Sequence, residues 1–236
     1  MSIFSNLSSK GLETQTDSLG GYSPLESGAY DAEIKALYVT TSASGAMALN
    51  LVADVEGREY RETIYITNKN KENFFVSPKT QKKVPLPGFT IINELCLCAI
   101  GKELCELETE TKVVKVYDFE TKQELPKEVP MVTDVLGSKV CLGILKEIVD
   151  KNVKSGDSYV PTGETREQNV INKVFHAETH MTVNEARDGK KEAVFYDKWV
   201  KKHAGQTVNR SKGTAGTAGA PKKPAAAAAP KKSLFS

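Results

Sequence analysis

GAYDAEIKALYVTTSASGAMALNLVADVEGREYRETIYIT, residues 28–67, decides how the fold is read. Along 28–41, Tyr30, Ala32, Ile34, Ala36 and Tyr38 alternate with Asp31, Glu33, Lys35 and Leu37. This is the period of two of a strand with one buried face, and Leu37 is its single violation. Thr41-Ser42-Ala43-Ser44-Gly45 is turn chemistry. Residues 46–55 form a second strand, with Met47, Leu49 and Leu51 on one side. Glu56-Gly57-Arg58 is a tight turn in which Gly57 is free to take positive φ. In 59–67, Tyr60, Ile64 and Ile66 share one parity, and Arg61, Thr63, Tyr65 and Thr67 the other. Three such strands in succession predict an antiparallel meander.

Working outward, residues 68–88 read as a long loop holding Phe74-Phe75 and several lysines. Thr90 is the expected cap of a helix carrying Ile91, Ile92, Leu95, Ala99 and Ile100, which Gly101 ends. Residues 112–119 are strand-like, and two more strands are expected over 128–136 and 139–149, joined at Gly137-Ser138. Pro130 places the first of these on an edge or at a bulge. Residues 150–165 read as a polar linker. Residues 166–182 fit strand or helix, and Val170, Ile171, Val174 and Phe175 fit a helical stripe slightly better. Residues 190–203 read as a short helix in which Phe195 and Trp199 pack together. The expectation is a mainly β chain, an OB-fold-like barrel of five to six strands with an inserted helix and a short helical C-terminal addition. Its domain would span 26–204, between a flexible arm at 1–25 and a disordered basic tail at 205–236.

The chain has 236 residues, 39% of them hydrophobic and 26% charged, with a net charge of +2. Residues 205–236 contain Arg210, Lys212, Lys222, Lys223, Lys231 and Lys232 and no acidic residue, which leaves the rest at −4. The body is therefore not a uniformly basic coat, and contact with a polyanion must come from a local patch or the tail. No apolar run approaches the roughly 18 residues of a membrane span, and residues 1–25 lack the pattern of a signal peptide. An intracellular, membrane-free protein is expected.

The densest chemistry lies between Arg58 and Lys83. Arg58, Arg61, Lys69, Lys71, Lys79, Lys82 and Lys83 are interleaved with Tyr60, Tyr65, Phe74 and Phe75. Single-stranded nucleic acid offers unstacked bases and a charged backbone, which aromatic platforms and lysines answer. The competing reading is a solvated basic loop whose phenylalanines fold back on the core. Cys96, Cys98, Cys105 and Cys141, alone or with His176 and His180, are candidate zinc ligands. The Cys96-Leu97-Cys98 spacing is shorter than structural zinc sites use, so buried thiols, no metal and no cofactor are expected. Phosphate-loop, dinucleotide, zinc-protease and nucleophile-elbow motifs are all missing, which favours a binding protein over an enzyme. Leu234-Phe235 at the end of the tail is an apolar handle for docking a partner.

Several stretches resemble the bacteriophage single-stranded DNA-binding proteins of the OB-fold kind. They are Glu62-Thr63-Ile64-Tyr65-Ile66-Thr67 with the Lys/Phe loop, Leu86-Pro87-Gly88-Phe89, Ile92-Asn93-Glu94-Leu95-Cys96-Leu97, residues 113–119 and Val160-Pro161-Thr162-Gly163-Glu164-Thr165-Arg166. The resemblance covers about residues 28–180. It implies a five-stranded barrel with an extra helix, single-strand binding along the barrel face, and protection of replication intermediates in the cytoplasm of an infected bacterium. Tyr65, Phe74, Phe75 and the adjoining lysines would form the binding face. The family's tail recruits replication proteins, but it is often acidic with a terminal aromatic; here it is basic and Phe235 is penultimate. The expectation is a non-enzymatic single-stranded DNA-binding protein. Its rivals are a protein-interaction module on the same barrel, such as a transcription coactivator or host-factor antagonist, and an enzyme subunit with an unrecognised site.

Overall fold

The structure, a computed structural model, describes residues 23–118, 121, 123–155 and 158–212. Its elements run β1 (Gly28–Thr41), β2 (Met47–Val55), β3 (Arg58–Tyr65), β4 (Phe74–Val76), β5 (Lys83–Pro85) and α1 (Pro87–Ile100). There follow β6 (Glu110–Asp118), β7 (Gln123–Met131), β8 (Lys139–Ser155), β9 (Ser158–His176), α2 (Val183–Arg187), α3 (Val194–His203) and β10 (Thr207–Asn209).

The meander forms as expected, and Leu37 turns out to mark a bulge. Ile34 pairs with Ala53 and Ala36 with Val52, so Lys35 is the extra residue. Before it, Ala32 and Ile34 face the main core; after it, Leu37 does. Tyr38 then faces the opposite side, where it packs with Val129 and Met131. One inserted residue thus lets a single strand serve two hydrophobic clusters.

The sheet is not a barrel. Its ladder runs β9–β8–β1–β2–β3, with β10 added parallel beside the middle of β8 and the β6–β7 hairpin added at the far end of β1. Among the described residues no ladder joins β3 to β9. Helix α1 packs against both strands and covers the seam between them. There the Glu62 carboxylate accepts from the backbone N–H of Ile171 at 2.9 Å, where a barrel would place a strand carbonyl. The expected five- to six-stranded barrel is therefore corrected to an open mixed sheet with helices packed on it. The resemblance to OB-fold DNA-binding proteins, which rested on that barrel, falls with it.

A segment read as a linker and one read as strand or helix are both strand. Of the expected linker, residues 150–155 and 158–165 are the outer half of a long β8–β9 hairpin, paired out to Ser155 and Ser158. Residues 166–176 continue β9 rather than forming a helix. The cause is a second bulge: Gly143 pairs with Lys173 but Ile144 with Ile171, leaving Asn172 over. The bulge puts Ile171 and Val174 in the same core at a spacing of three, which imitates a helical stripe. Asn172 accepts from Trp199 Nε1 at 2.8 Å, so the bulge also holds α3. A Cβ on Gly143 would come within 2.9 Å of the Trp199 ring, so glycine there is the seat of that ring. Trp199 packs on Phe175 and His203 rather than pairing with Phe195.

Helix α1 starts at Pro87, not at Thr90. Proline suits the first turn because its missing N–H has no partner there anyway. Gly101 ends the helix at φ 74°, its N–H donating to Leu97 O. On its buried side the Glu94 carboxylate meets Lys173 Nζ at 2.8 Å, tying α1 to β9. Pro126 and Pro130 both lie in β7, four residues apart. Having no N–H, they leave the outer edge of this strand poor in donors and block further pairing. Residues 205–212, assigned by sequence to the tail, include β10, and Arg210 pairs with the buried Glu147.

Glu62 sits at the seam with an unfavourable charge. Burial holds its carboxyl above the usual value of 4.5, opposed by hydrogen bonds from Tyr60 Oη and Ile171 N. A carboxyl raised in the folded state binds protons that the unfolded chain has released. Its ionisation therefore costs stability as pH rises from 4.5 through the raised value. Glu62→Gln keeps an acceptor for both donors and removes that cost. Denaturant midpoints across this pH range are expected to show wild type losing stability relative to the variant as pH rises. A pH-independent difference would mean that Glu62 does not carry this ionisation.

Candidate nucleic-acid interface

Parity along β3 sorts the candidate residues. Tyr60 points inward, only 5% exposed, within the main core. Its hydroxyl donates to Glu62 at 2.6 Å, so it is a core residue and offers no stacking face. Arg61 and Tyr65 point outward, and Tyr65 is 54% exposed, whereas Arg58 is exposed at the start of the strand but shares the parity of Tyr60 and lies off this face. Arg61 is already engaged: Nε meets Glu59 at 2.7 Å, and a second nitrogen meets Glu124 of β7 at 3.4 Å. The Glu59 hydrogen bond raises the Arg61 pKa further.

The same outward face carries a polar stripe that the sequence reading did not single out. Asn50 Nδ2 donates to Thr40 Oγ1 at 2.8 Å, and Thr63 Oγ1 donates to Asn50 Oδ1 at 2.7 Å. The stripe crosses β1, β2 and β3 beside Tyr65. The signal was half available, since Asn50 and Thr63 lie on the polar parity of their strands but Thr40 shares the parity of Tyr38, which the Lys35 bulge turns to this face. Near it, the β6–β7 hairpin packs Val114, Val116, Val129 and Met131 against Tyr38 and Val52.

The 68–88 segment is more ordered than a loop. Asn68 Oδ1 accepts from the N–H groups of Asn70 and Glu72, fixing the first turn. Phe75 pairs with Val84 and Phe74 with Pro85 in the β4–β5 hairpin. Phe74 is half-buried, with Lys83 Nζ 4.2 Å above its ring. Phe75 is 45% exposed. The segment leaves the sheet directly after Tyr65 and returns to the same point. An ideal Cβ on Gly88 would lie 2.2 Å from Tyr65 O, a contact that only glycine permits. Tyr65 thus stands at the root of the basic hairpin.

Lys69, Lys71, Lys79 and Lys82 are exposed, and so is Lys83. Among the described residues none of these five forms an ion pair with a carboxylate. Lys35, Lys102, Lys112, Lys146, Lys151, Lys173 and Lys190 do, while Lys115, Lys127, Lys139, Lys191, Lys198, Lys201, Lys202 and Lys212 also do not among the described residues. The 68–88 segment thus gathers five lysines without carboxylate partners among the described residues, and Lys83 lies over the Phe74 ring.

The candidate zinc ligands separate. Cys96 and Cys98 are buried in α1, and Cys105 is exposed beyond it. Burial pushes the thiols of Cys96, Cys98 and Cys141 up to about 12. Cys141 and His180 do come together, with Asp31 as a third donor. Leu234 and Phe235 lie outside the described residues, as does most of the 1–25 arm. No helix among the described residues is long and apolar enough to cross a membrane.

No protein-family model matches the chain, and no curated protein is similar enough to it to indicate a shared family.

Proposed function

We propose that the chain binds single-stranded DNA, on an open sheet face and its adjoining hairpin rather than on a barrel. The observation that carries this is the set of five hairpin lysines without carboxylate partners, rooted at an exposed tyrosine. Among the described residues no carboxylate pairs with those charges, whereas phosphates would. Tyr65 and Phe75 supply stacking faces, and the Thr40–Asn50–Thr63 stripe supplies hydrogen-bonding groups beside them. Such binding is tolerant of sequence, because every base has a face to stack. The chain acts as a binding protein in the cytoplasm, not as a catalyst. Leu234-Phe235 would dock replication or transcription proteins to the bound strand.

Stacking is tested at the two exposed rings. A stacked base contributes about 1–3 kcal/mol, so Tyr65→Ala or Phe75→Ala is expected to weaken binding of an oligo-dT by about 5- to 150-fold. Both side chains are on the surface, so thermal stability should be nearly unchanged. Unchanged affinity in both variants would remove this face from the binding site. Binding that a duplex competitor abolishes would show charge attraction without recognition of single strands.

A further inference from the structure

We propose that Asp31, Cys141 and His180 form a site for a zinc-class divalent transition metal, with solvent completing the coordination. Asp31 of β1 and Cys141 of β8 are direct partners in the antiparallel register, so their side chains leave the sheet side by side on one face. His180 reaches them from the turn after β9. That turn is closed by His176 N–H to Met181 O at 3.0 Å and His180 N–H to His176 O at 2.9 Å. His180 takes φ 55°, and its ring stacks on Tyr196 at 4.4 Å and 11°. Two strands and a turn, remote in sequence, thus bring one sulfur, one nitrogen and one oxygen donor within 4.8 Å of one another.

The donor set selects the metal. Zinc bonds to sulfur at about 2.3 Å and to nitrogen or oxygen at about 2.0–2.2 Å, so one ion can bridge donors spaced this way. A thiolate and an imidazole favour zinc or cobalt over magnesium or calcium, which take oxygen ligands. Three protein ligands leave a fourth position to solvent, unlike the closed four-ligand sites of zinc fingers. A second feature points the same way. Asp31 also lines a cleft of about 420 Å³ with Glu33, Asp54, Glu56 and Glu178, against the single cation Lys139. Its negative field would concentrate cations at the mouth of the site.

The chemistry of loading balances simply. The Cys141 S–H bond breaks, its proton goes to solvent, and the sulfur electron pair bonds the metal. No redox step is involved. The bound ion would clip the β9–α2 turn to β1 and β8. Sequence spacing could not show this triad, because Asp31 meets Cys141 only through strand register.

The full chain carrying Cys105→Ser, which removes the exposed thiol, is titrated with cobalt(II) alone and followed by absorption. A thiolate-to-cobalt charge-transfer band saturating at one equivalent, and lost when zinc is added, is expected. Cys141→Ser should abolish the band. His180→Gly, which suits the positive φ, should weaken binding by more than about 100-fold, since even groups outside the ligand shell are worth about 10- to 100-fold. If Cys141→Ser fails to fold, judged by circular dichroism, His180→Gly and Asp31→Asn decide the question. No band in the folded parent overturns the proposal. So does a band that survives intact in Cys141→Ser, or in both His180→Gly and Asp31→Asn.

Discussion

Alanine at Lys69, Lys71, Lys79, Lys82 and Lys83 together is expected to lower affinity for an oligo-dT by roughly 10³-fold at about 0.1 M salt. Each phosphate neutralised on a single strand adds about 0.7 to the slope of log K against log salt concentration. Five contacts, taken over the decade between about 1 M and 0.1 M, give an effect of roughly that size. The fold should be indifferent to the change, because these lysines are exposed and make no ion pairs among the described residues. Fluorescence anisotropy measures the affinity, and circular dichroism checks the fold. A loss below about threefold with the fold intact would place the phosphate contacts elsewhere.

The second large effect is on stability. Phe175→Ala is expected to cost about 3–5 kcal/mol, a large part of the total of about 5–15 typical of a domain. Phe175 is 0% exposed and packs with Cys141, Leu145 and Trp199. Its ring meets Tyr196 at 5.2 Å and Trp199 at 5.9 Å, both edge to face, and lies 6.4 Å from Phe195. The cavity would open beneath α3 and loosen its seat on β8 and β9. The urea midpoint should fall, and Trp199 fluorescence should report a wetter ring. A cost under about 1 kcal/mol would mean that α3 is held by something other than this cluster.

Particular residues show how far the sequence could be read. The β1–β2–β3 meander was legible because its strands alternate over most of their length and turn chemistry separates them. Leu37, out of phase, was the visible trace of the Lys35 bulge. The Asn172 bulge left a misleading trace, since it set Ile171 and Val174 three apart in one core. The outer β8–β9 hairpin carried no hydrophobic signal because residues 159–167 are solvent-exposed and held by ladder bonds. The open seam was illegible, since closure or its absence depends on Glu62 and α1 lying between two strands a hundred residues apart. At the candidate interface, the basic and aromatic composition identified the hairpin. Strand parity already placed Tyr60 with Ile64 and Ile66, and the structure puts all three in the core. The partners of Arg61 were not readable, because Glu124 comes to it from another strand.

The most direct measurement is the binding of a fluorescent oligo-dT to the full chain across a range of salt concentrations, with duplex DNA as competitor. Single-strand binding by the basic hairpin requires tight binding at low salt that duplex does not displace. It also requires that log K fall with log salt at a slope of about −3.5 or steeper, the share of five phosphate contacts. No binding at low salt, or equal displacement by duplex, would contradict it.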